Sequence, residues 1–189
     1  MSNNLSEQEQ VRRQSLAELI KMGINPYPQE AYEVNTSAAE ILEKFPENPE
    51  NFKQVSLAGR IMSRRIMGAA SFTELQDSTG RIQLYFKRDD ICPGEDKSLY
   101  NIVFKRLLDI GDIIGVEGFV FTTQMGEITL HVTSLKVLSK SLRPLPIVKE
   151  KDGKIYDAFT DPEQRYRMRY VDLIVNEEVK ETFVKRTKV

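Results

Sequence analysis

The sequence has very few of the residues that build cross-linked or metal-bound scaffolds. Cys92 is the only cysteine and His131 the only histidine among 189 residues. An internal disulfide is therefore excluded, and so is a Cys/His metal cluster. Cys92 precedes Pro93 and Gly94 in a predicted loop, where an incidental thiol is a better interpretation than a nucleophile. The 40% apolar content is enough for an ordinary hydrophobic core.

Long hydrophobic runs are also missing. The apolar runs are only a few residues long, whereas a membrane-spanning helix needs about 20. The N-terminus has no apolar segment of the kind found in a secretory signal peptide. These two absences predict a cytoplasmic protein.

An excess of positive charge is absent as well, since the formal net charge is −1. Residues 1–51 hold 4 Lys/Arg against 9 Asp/Glu, residues 52–142 hold 12 against 10, and residues 143–189 hold 11 against 9. No segment is the strongly basic block of a protein that binds nucleic acid without reading it. Any nucleic acid must therefore be held by a few well-placed groups.

Residues 1–51 are predicted to form an N-terminal helical extension. Ser6 with Glu9 is a capping box that predicts a helix over residues 6–22, and a second serine–glutamate pair predicts a shorter helix over residues 38–45. The basic residues of the first helix are expected on a solvated face, with phosphate contact as the alternative; they are Arg12, Arg13 and Lys21.

The pattern changes to period two after Phe52, which indicates β-strands. Gly59 is expected to permit the bend that a small barrel needs. Five strands are predicted, with a helix before the fourth: strands over 55–62, 71–77, 81–87, 113–122 and 128–138, and the helix over 97–108. This order is that of the OB-fold, a mainly β, five-stranded Greek-key barrel that binds oligonucleotides on strands 2 and 3 and on the loops joining strands 1–2 and 4–5. We predict such a barrel over residues 52–142.

Residues 143–189 are predicted to form a linker and a C-terminal helical segment. Arg143–Pro146 is stiff by composition, and Lys149–Gly153 is expected to be a charged turn. Pro162 is suited to a first helical turn, so residues 163–189 are expected to be helical. One face would carry apolar residues, namely Tyr166, Tyr170, Leu173 and Ile174, with Val179, Phe183 and Val184 further on. An amphipathic helix without a partner suggests part of a longer protein.

An aromatic residue is predicted on the polar face of the barrel. The apolar residues of the third strand must face the core together with Leu75, which turns Phe72 and Gln83 outward. An outward phenyl ring offers a stacking surface for a nucleobase. The alternative is that another part of the chain, such as residues 24–34, covers Phe72.

Several polar groups are expected near Phe72. Arg64 and Arg65 are placed at the start of the strand 1–2 loop, Gln83 one strand away, and Glu127 in the strand 4–5 loop on the same rim. An arginine donor, an amide and a carboxylate acceptor can together read the edge of a splayed base. Their convergence on an outward aromatic favours a base-reading pocket.

A series of motifs carries a family resemblance. These are RRIMG (64–68), ASF (70–72), LQD (75–77), GRIQLY (80–85), RPLP (143–146) and RYRMRYVDLI (165–174). Together they resemble the N-terminal half of class II lysyl-tRNA synthetases of the bacterial type, over essentially the whole chain. The RRIMG and RYRMRYVDLI motifs distinguish this family from its aspartyl and asparaginyl relatives.

The resemblance implies an OB-fold anticodon-binding domain ahead of a catalytic domain that uses ATP and Mg²⁺ to attach lysine to tRNA(Lys), in a homodimer. By motif position, Phe72 would stack on the central anticodon uridine, Arg65 and Gln83 would hydrogen-bond its edge, and Glu127 would approach a neighbouring base. Residues 143–189 would then be the linker and the truncated start of the class II catalytic domain, and the ATP and lysine motifs would lie beyond Val189. The expectation is therefore that this chain contains no catalytic residue, binds no cofactor and is inactive as a ligase.

One departure from the family and one rival remain. The strand 4–5 loop, Thr122–Gly126, lacks the lysines that are common there, so phosphate contact from this loop is in question. The rival is a non-catalytic OB module that holds single strands without reading them and self-associates through its C-terminal helices. It predicts broad, strongly salt-dependent binding, which the near-neutral charge of the barrel disfavours.

Overall fold

The computed structural model describes residues 5–146, 149–151, 154–156 and 159–189, with the backbone alone for 149–151 and 154–156. The chain divides into two compact units, residues 1–143 and residues 144–189. The predicted N-terminal extension and the predicted barrel thus lie in one unit, and each unit is described by itself.

A closed barrel of five strands forms the centre of the first unit. The strand order around the barrel is β1-β2-β3-β5-β4, with β3 and β5 parallel and every other pair antiparallel. This is the predicted OB-fold. The strands are β1 Val55–Met67, β2 Ala70–Gln76, β3 Arg81–Lys87, β4 Ile113–Thr122 and β5 Ile128–Ser139.

Alternating side chains build the barrel core. Buried and half-buried residues alternate strictly along β2, and buried residues alternate with more exposed ones along β3, which matches the period of a strand with one face on a core. The apolar side chains at the buried positions are almost completely enclosed: Leu57, Ile61, Leu75, Ile82, Leu84, Phe86, Ile114, Val116, Leu130 and Val132. The prediction that Leu75 and the apolar residues of the third strand face the core is confirmed.

The first strand is five residues longer than predicted and contains an irregularity. Its pairing with β2 shifts between Ile61 and Ser63, so Met62 is an extra residue in the strand, as in a β-bulge. The strand continues to Met67, and only Gly68 and Ala69 connect it to β2. The prediction that Arg64 and Arg65 begin a loop is therefore wrong, because both lie within the paired strand.

Two helical segments lie between β3 and β4. The predicted helix over 97–108 is a π-helix over Leu99–Leu107, whose Phe104 stacks on Phe86 of the core with ring centroids 4.2 Å apart. A short helix, α3 (Arg88–Ile91), was not predicted. It directly continues β3 and buries Ile91, so the period-two pattern gives way to a helix without an intervening loop.

The N-terminal extension packs on this barrel. Helix α1 (Glu7–Lys21) has the predicted capping box: the Ser6 hydroxyl accepts a hydrogen bond from the Glu9 amide, and the Glu9 carboxylate accepts one from the Ser6 amide. Helix α2 (Ala38–Lys44) follows. Leu19 and Ile41 are fully buried in the same core as the barrel residues. A 3₁₀ turn over Pro49–Phe52 leads into β1.

The prediction that Arg12 lies on a solvated face of α1 is wrong, because its side chain is buried. Its side chain is 7% exposed, and its guanidinium donates to the main-chain oxygens of Ile110 at 2.9 Å and Ser141 at 3.1 Å. Buried carbonyl groups need hydrogen-bond donors, and Arg12 supplies them from the first helix. It is therefore a residue that joins α1 to the barrel, and neither solvated nor available to a phosphate.

The second unit contains a short hairpin and three helices. The hairpin pairs β6 (Lys149–Lys151) with β7 (Lys154–Tyr156), so the start of the predicted charged turn is a strand, while its residues 152 and 153 lie outside the described residues. The helices are α4 Pro162–Arg167, α5 Arg169–Val175 and α6 Glu177–Lys188.

The prediction of continuous helix over residues 163–189 with one apolar face is wrong. The chain leaves the helical conformation at Met168 and at Asn176, whose backbone angles are not helical. The fully buried Asp172 accepts from Arg165 at 2.9 Å and from the Asn176 amide at 2.6 Å, which holds the break at Asn176 in place. Across the described ranges of the chain, no helix has both the length and the apolar character of a membrane span.

Candidate nucleic-acid interface

An open groove of about 480 Å³ lies on the outer side of β2 and β3, next to the loop between β4 and β5. It brings together four of the five residues predicted for the site: Arg65, Phe72, Gln83 and Glu127. Each comes from a different strand or loop, so only the closed barrel unites them. The other lining residues are Ser63, Thr73, Glu74, Arg81, Ile82, Thr123 and Met125.

Phe72 faces outward, as predicted. Its neighbours Ser71 and Thr73 are buried while Phe72 is half-buried, in step with the alternation of β2. Its cross-strand partner is Tyr85, whose ring centroid lies 5.1 Å away at an interplanar angle of 47°. Tyr85 thus supports one side of the phenyl ring, and Phe72 still lines the groove.

The alternative prediction, that residues 24–34 cover Phe72, is wrong. Residues 24–30 line a separate groove with Leu99 and Leu135. Further along the segment, the Tyr32 ring lies directly over Gly115 of β4, about 2.5 Å from where a Cβ would be. The segment expected to cover Phe72 is used elsewhere on the barrel.

Arg65 and Arg64 point to opposite faces of β1. Arg65 pairs with Phe72 in register, so the two side chains share the outer face. In the part of the chain that the structure describes, Arg65 has no hydrogen bond or ion pair, so its guanidinium donors are free for a ligand.

The structure does not bring Arg64 to the groove. Arg64 pairs with the buried Thr73, and its guanidinium donates to the main-chain oxygens of Phe104 at 2.5 Å and Leu108 at 2.7 Å. It also lies 5.7 Å from the centre of the Phe104 ring. Burial lowers the pKa of the Arg64 guanidinium. This arginine closes the end of the π-helix, where unpaired carbonyl groups need donors.

The Gln83 amide is held by two neighbours. Its nitrogen donates to the Glu127 carboxylate at 2.6 Å, and its oxygen accepts from the Thr129 hydroxyl at 3.1 Å. A primary amide has two N–H donors and an oxygen with two lone pairs. One donor and one lone pair therefore remain for a ligand in the groove.

The loop between β4 and β5 is a tight turn that positions Glu127. The Thr123 amide donates to the Glu127 main-chain oxygen at 2.9 Å, and the Thr123 hydroxyl accepts from the Glu127 amide at 3.0 Å. Gly126 sits at φ 85°, in the left-handed region that glycine tolerates. Met125 is 93% exposed at the tip. The tip of this loop therefore presents an apolar side chain, and residues 122–126 contain no lysine.

A row of outward aromatic rings extends from the groove and was not predicted. Tyr85 lies beside His131, and His131 stacks on Phe119 with ring centroids 4.7 Å apart. The His131 ring is also within hydrogen-bond distance of Asp90, at 2.7 Å. These rings adjoin only because β5 lies between β3 and β4, which no local pattern reveals.

Charge in the groove is balanced. Arg81 pairs with Glu74 at 3.2 Å, whereas Arg65 and Glu127 each keep a charge without an ion pair among the described residues, because the Gln83 amide that binds Glu127 is neutral. In the described ranges, no three His, Cys, Asp or Glu side chains come together as metal ligands. The groove therefore combines one stacking surface, one free cation and one oriented amide, which suits a single base rather than a long phosphate backbone.

Comparison with known proteins agrees with this geometry. Residues 55–138 match a family model described as an OB-fold nucleic acid binding domain. The chain is 64% identical to a lysine–tRNA ligase from Porphyromonas gingivalis strain W83 over 187 residues, which is 98% of this chain and 32% of that protein.

Two further relatives give the same result. A lysine–tRNA ligase from Azobacteroides pseudotrichonymphae is 62% identical over 98% of this chain and 37% of its own length, and one from Christiangramia forsetii is 59% identical over 98% and 32%. The chain thus spans about a third of the length of these curated relatives. Residues 55–138 thus form an OB-fold barrel that matches a nucleic acid binding family, in a chain that is similar to lysine–tRNA ligases over nearly all of its own length.

Proposed function

We propose that this chain is the anticodon-binding part of a lysine–tRNA ligase and that its groove holds the central uridine of the lysine anticodon. The observation that carries the proposal is the convergence of Arg65, Phe72, Gln83 and Glu127 on one groove of an OB-fold barrel. The similarity to lysine–tRNA ligases supports the same conclusion.

The side chains divide the work of recognition. The Phe72 ring provides a face for stacking, which contributes about 1–3 kcal/mol per base. Arg65 donates to a carbonyl oxygen of the base, and the free donor and acceptor of Gln83 complete the contact along the Watson–Crick edge. Glu127 holds Gln83 and lies at the rim, where a neighbouring anticodon base would follow.

The wider function belongs to the longer protein that the relatives represent. In that protein, ATP and Mg²⁺ would activate lysine at a catalytic domain, and the activated lysine would be transferred to tRNA(Lys). We further propose a cytoplasmic homodimer, as the resemblance implies. No catalytic, cofactor or metal residue is assigned within residues 1–189.

The direct test is binding of the chain to anticodon stem-loops that differ only at the central base. Loops with a central U should bind more tightly than loops with a central C. Phe72→Ala should weaken binding of the U loop by about 1–3 kcal/mol, because the stacking face is lost. Affinities are measured by fluorescence anisotropy, and thermal unfolding checks that the variant stays folded.

A matched control is Phe183→Ala, since Phe183 is another partly exposed phenylalanine but lies in the second unit. Its binding should equal that of the parent chain. Equal affinity for U and C loops, or an equal effect of the two phenylalanine variants, would contradict the proposal.

The rival, a module that binds single strands without reading them, predicts a different salt dependence. Binding dominated by phosphate contacts loses affinity steeply with salt, with a slope of about −0.7 per phosphate contact on single strands. With one free arginine in the groove, we expect the logarithm of the binding constant to fall with the logarithm of the salt concentration with the slope of only one or two phosphate contacts. A slope of about −4 or steeper, with no base preference, would favour the rival.

A further inference from the structure

The hydrogen bonds around Gln83 leave its amide only one orientation. The Glu127 carboxylate is an acceptor only, so the nitrogen of Gln83 and not its oxygen must face it, at 2.6 Å. The Thr129 hydroxyl lies 3.1 Å from the Gln83 side-chain oxygen and 3.2 Å from the Glu127 main-chain oxygen. In the orientation that the carboxylate requires, the Gln83 oxygen faces the Thr129 hydroxyl, whose single proton is shared between this oxygen and the Glu127 main-chain oxygen.

Thr129 is well placed to hold this arrangement. It is fully buried although it sits on the outer face of β5, because Gln83 and Glu127 cover it. It is also the direct neighbour of Gln83 across the parallel β3–β5 pair. Because Thr129 is buried and its strand is paired with that of Gln83, its hydroxyl cannot move far from the Gln83 amide.

We infer that Thr129 and Glu127 are positioning residues that set the preference for uracil over cytosine at the groove, acting through Gln83. The inference rests on the proposed function, since it assumes that a base occupies the groove. Glu127 acts here on the amide of Gln83, a role different from contact with a neighbouring base.

The reason lies in the reversed edges of the two pyrimidines. Uracil presents an N3–H donor beside the O4 acceptor, whereas cytosine presents an N3 acceptor beside the N4 amino donor. A primary amide offers one donor and one acceptor side by side. In one orientation it matches uracil, and turned over it matches cytosine. The terminal torsion of glutamine is broad and about two-fold, so an unrestrained Gln83 can serve both bases.

The test compares variants that release the amide without changing its size. Glu127→Gln replaces an obligatory acceptor by a group that can also donate, and Thr129→Val removes the hydroxyl while keeping the shape. In each variant, and most in the double variant, the ratio of Kd for the C loop to Kd for the U loop should fall by on the order of tenfold. The fall should come mainly from tighter binding of the C loop.

Matched controls lie on β4 and β5, outside the groove. Thr133→Val removes a hydroxyl from an exposed position of β5 outside the groove, where it donates to the Glu117 main-chain oxygen at 3.2 Å. Glu117→Gln makes the same change as Glu127→Gln on β4, away from the groove. Both controls should keep the ratio of the parent chain.

The outcomes separate the inference from the proposed function. An unchanged ratio in a folded double variant overturns the inference alone, as does a Glu127→Gln effect confined to loops that differ at a neighbouring base. A parent chain that binds U and C loops equally overturns the proposed function as well. If Thr129→Val does not fold, Glu127→Gln decides the matter, because Glu127 is exposed.

Discussion

Adjacent arginines in this protein have opposite roles, and the pairing of one strand explains why. Arg65 lies on the outer face beside Phe72 and is free, whereas Arg64 lies on the face of Thr73 and binds the carbonyl groups that end the π-helix. A donor that satisfies buried carbonyls contributes to stability, and a free cation on a groove contributes to binding. Substitution of Arg64 should therefore mainly lower stability, and substitution of Arg65 should mainly weaken RNA binding.

We expect Arg64→Ala to lower the free energy of unfolding by about 2 kcal/mol, because two carbonyl groups lose a charged donor. Arg65→Ala should leave it within about 0.5 kcal/mol of the parent. Urea-induced unfolding followed by circular dichroism measures both values.

Binding to the U-loop RNA should show the reverse order. Arg65→Ala is expected to weaken it by about 1–3 kcal/mol through the lost hydrogen bond from a charged donor. Arg64→Ala, measured where the variant is folded, should bind nearly as well as the parent. A larger loss of RNA affinity from Arg64 than from Arg65 would contradict the assignment.

At the scale of the strand, β1 is built around close contact with β2. A Cβ at Gly59 would lie 2.6 Å from the Gln76 main-chain oxygen and 2.8 Å from the Leu75 side chain. The sequence predicted a glycine that permits a bend, and the structure gives the reason as a close approach of backbone. The strand then gains one residue at Met62, which decides the facing of everything beyond it.

Gly59→Ala should therefore destabilise the barrel by about 1–3 kcal/mol, because backbone of β2 must move to admit the methyl group. Gly80→Ala is the matched control, since a Cβ there has no described atom within 4 Å. It should be neutral or stabilising by up to about 1 kcal/mol. Denaturant midpoints at constant slope measure both, and a neutral Gly59→Ala would show that the β1–β2 contact is not close.

At the scale of the first unit, Asp77 connects the N-terminal extension to the barrel. From the turn after β2, its carboxylate accepts from the Ala38 amide at 2.7 Å, and from the Thr79 and Gly80 amides at 2.6 and 2.9 Å. It thereby supplies an acceptor to the first turn of α2 from a distant part of the chain. Burial alone would raise the pKa of Asp77, but these hydrogen bonds outweigh it and lower its pKa below the usual 3.8.

This lowered pKa predicts a pH dependence of stability. A carboxyl group with a lower pKa in the folded state stabilises the protein above its unfolded pKa, and the contribution is lost as pH falls through the folded value. Asp77→Asn should lower the unfolding free energy at pH 7 by about 1–2 kcal/mol. The difference from the parent should shrink as the pH is lowered through 4 and below.

Glu43→Gln serves as control, because Glu43 is exposed on α2. It should have the unfolding free energy of the parent at every pH. Unfolding series in urea at pH 7, 5 and 3 test the prediction, and a constant Asp77→Asn difference across these values would exclude the linkage.

Much of the fold could be predicted because it depends on residues close together in sequence. The capping box at Ser6, the alternation of β2 and β3, and the outward position of Phe72 all follow from local spacing. The capping and patterning rules act over at most a few residues. The OB-fold order of the strands followed from these elements and was confirmed.

Two of the errors have a different origin, since each depends on which groups a buried polar side chain binds. The burial of Arg12 requires Ile110 and Ser141, and the break of the C-terminal helix at Asn176 involves the network at Asp172. Such contacts leave no periodic signal, because the partners of a buried polar group are chosen by the tertiary structure.

The sequence by itself determined that this protein has an OB-fold barrel with an outward aromatic, because hydrophobic alternation decides which face of a strand is buried. Only the tertiary structure decided the facing of Arg64 and Arg65, since one extra residue at Met62 reverses the facing that simple alternation predicts. It alone also placed Thr129 beside Gln83, because the parallel neighbours β3 and β5 are far apart in sequence and meet only when the barrel closes.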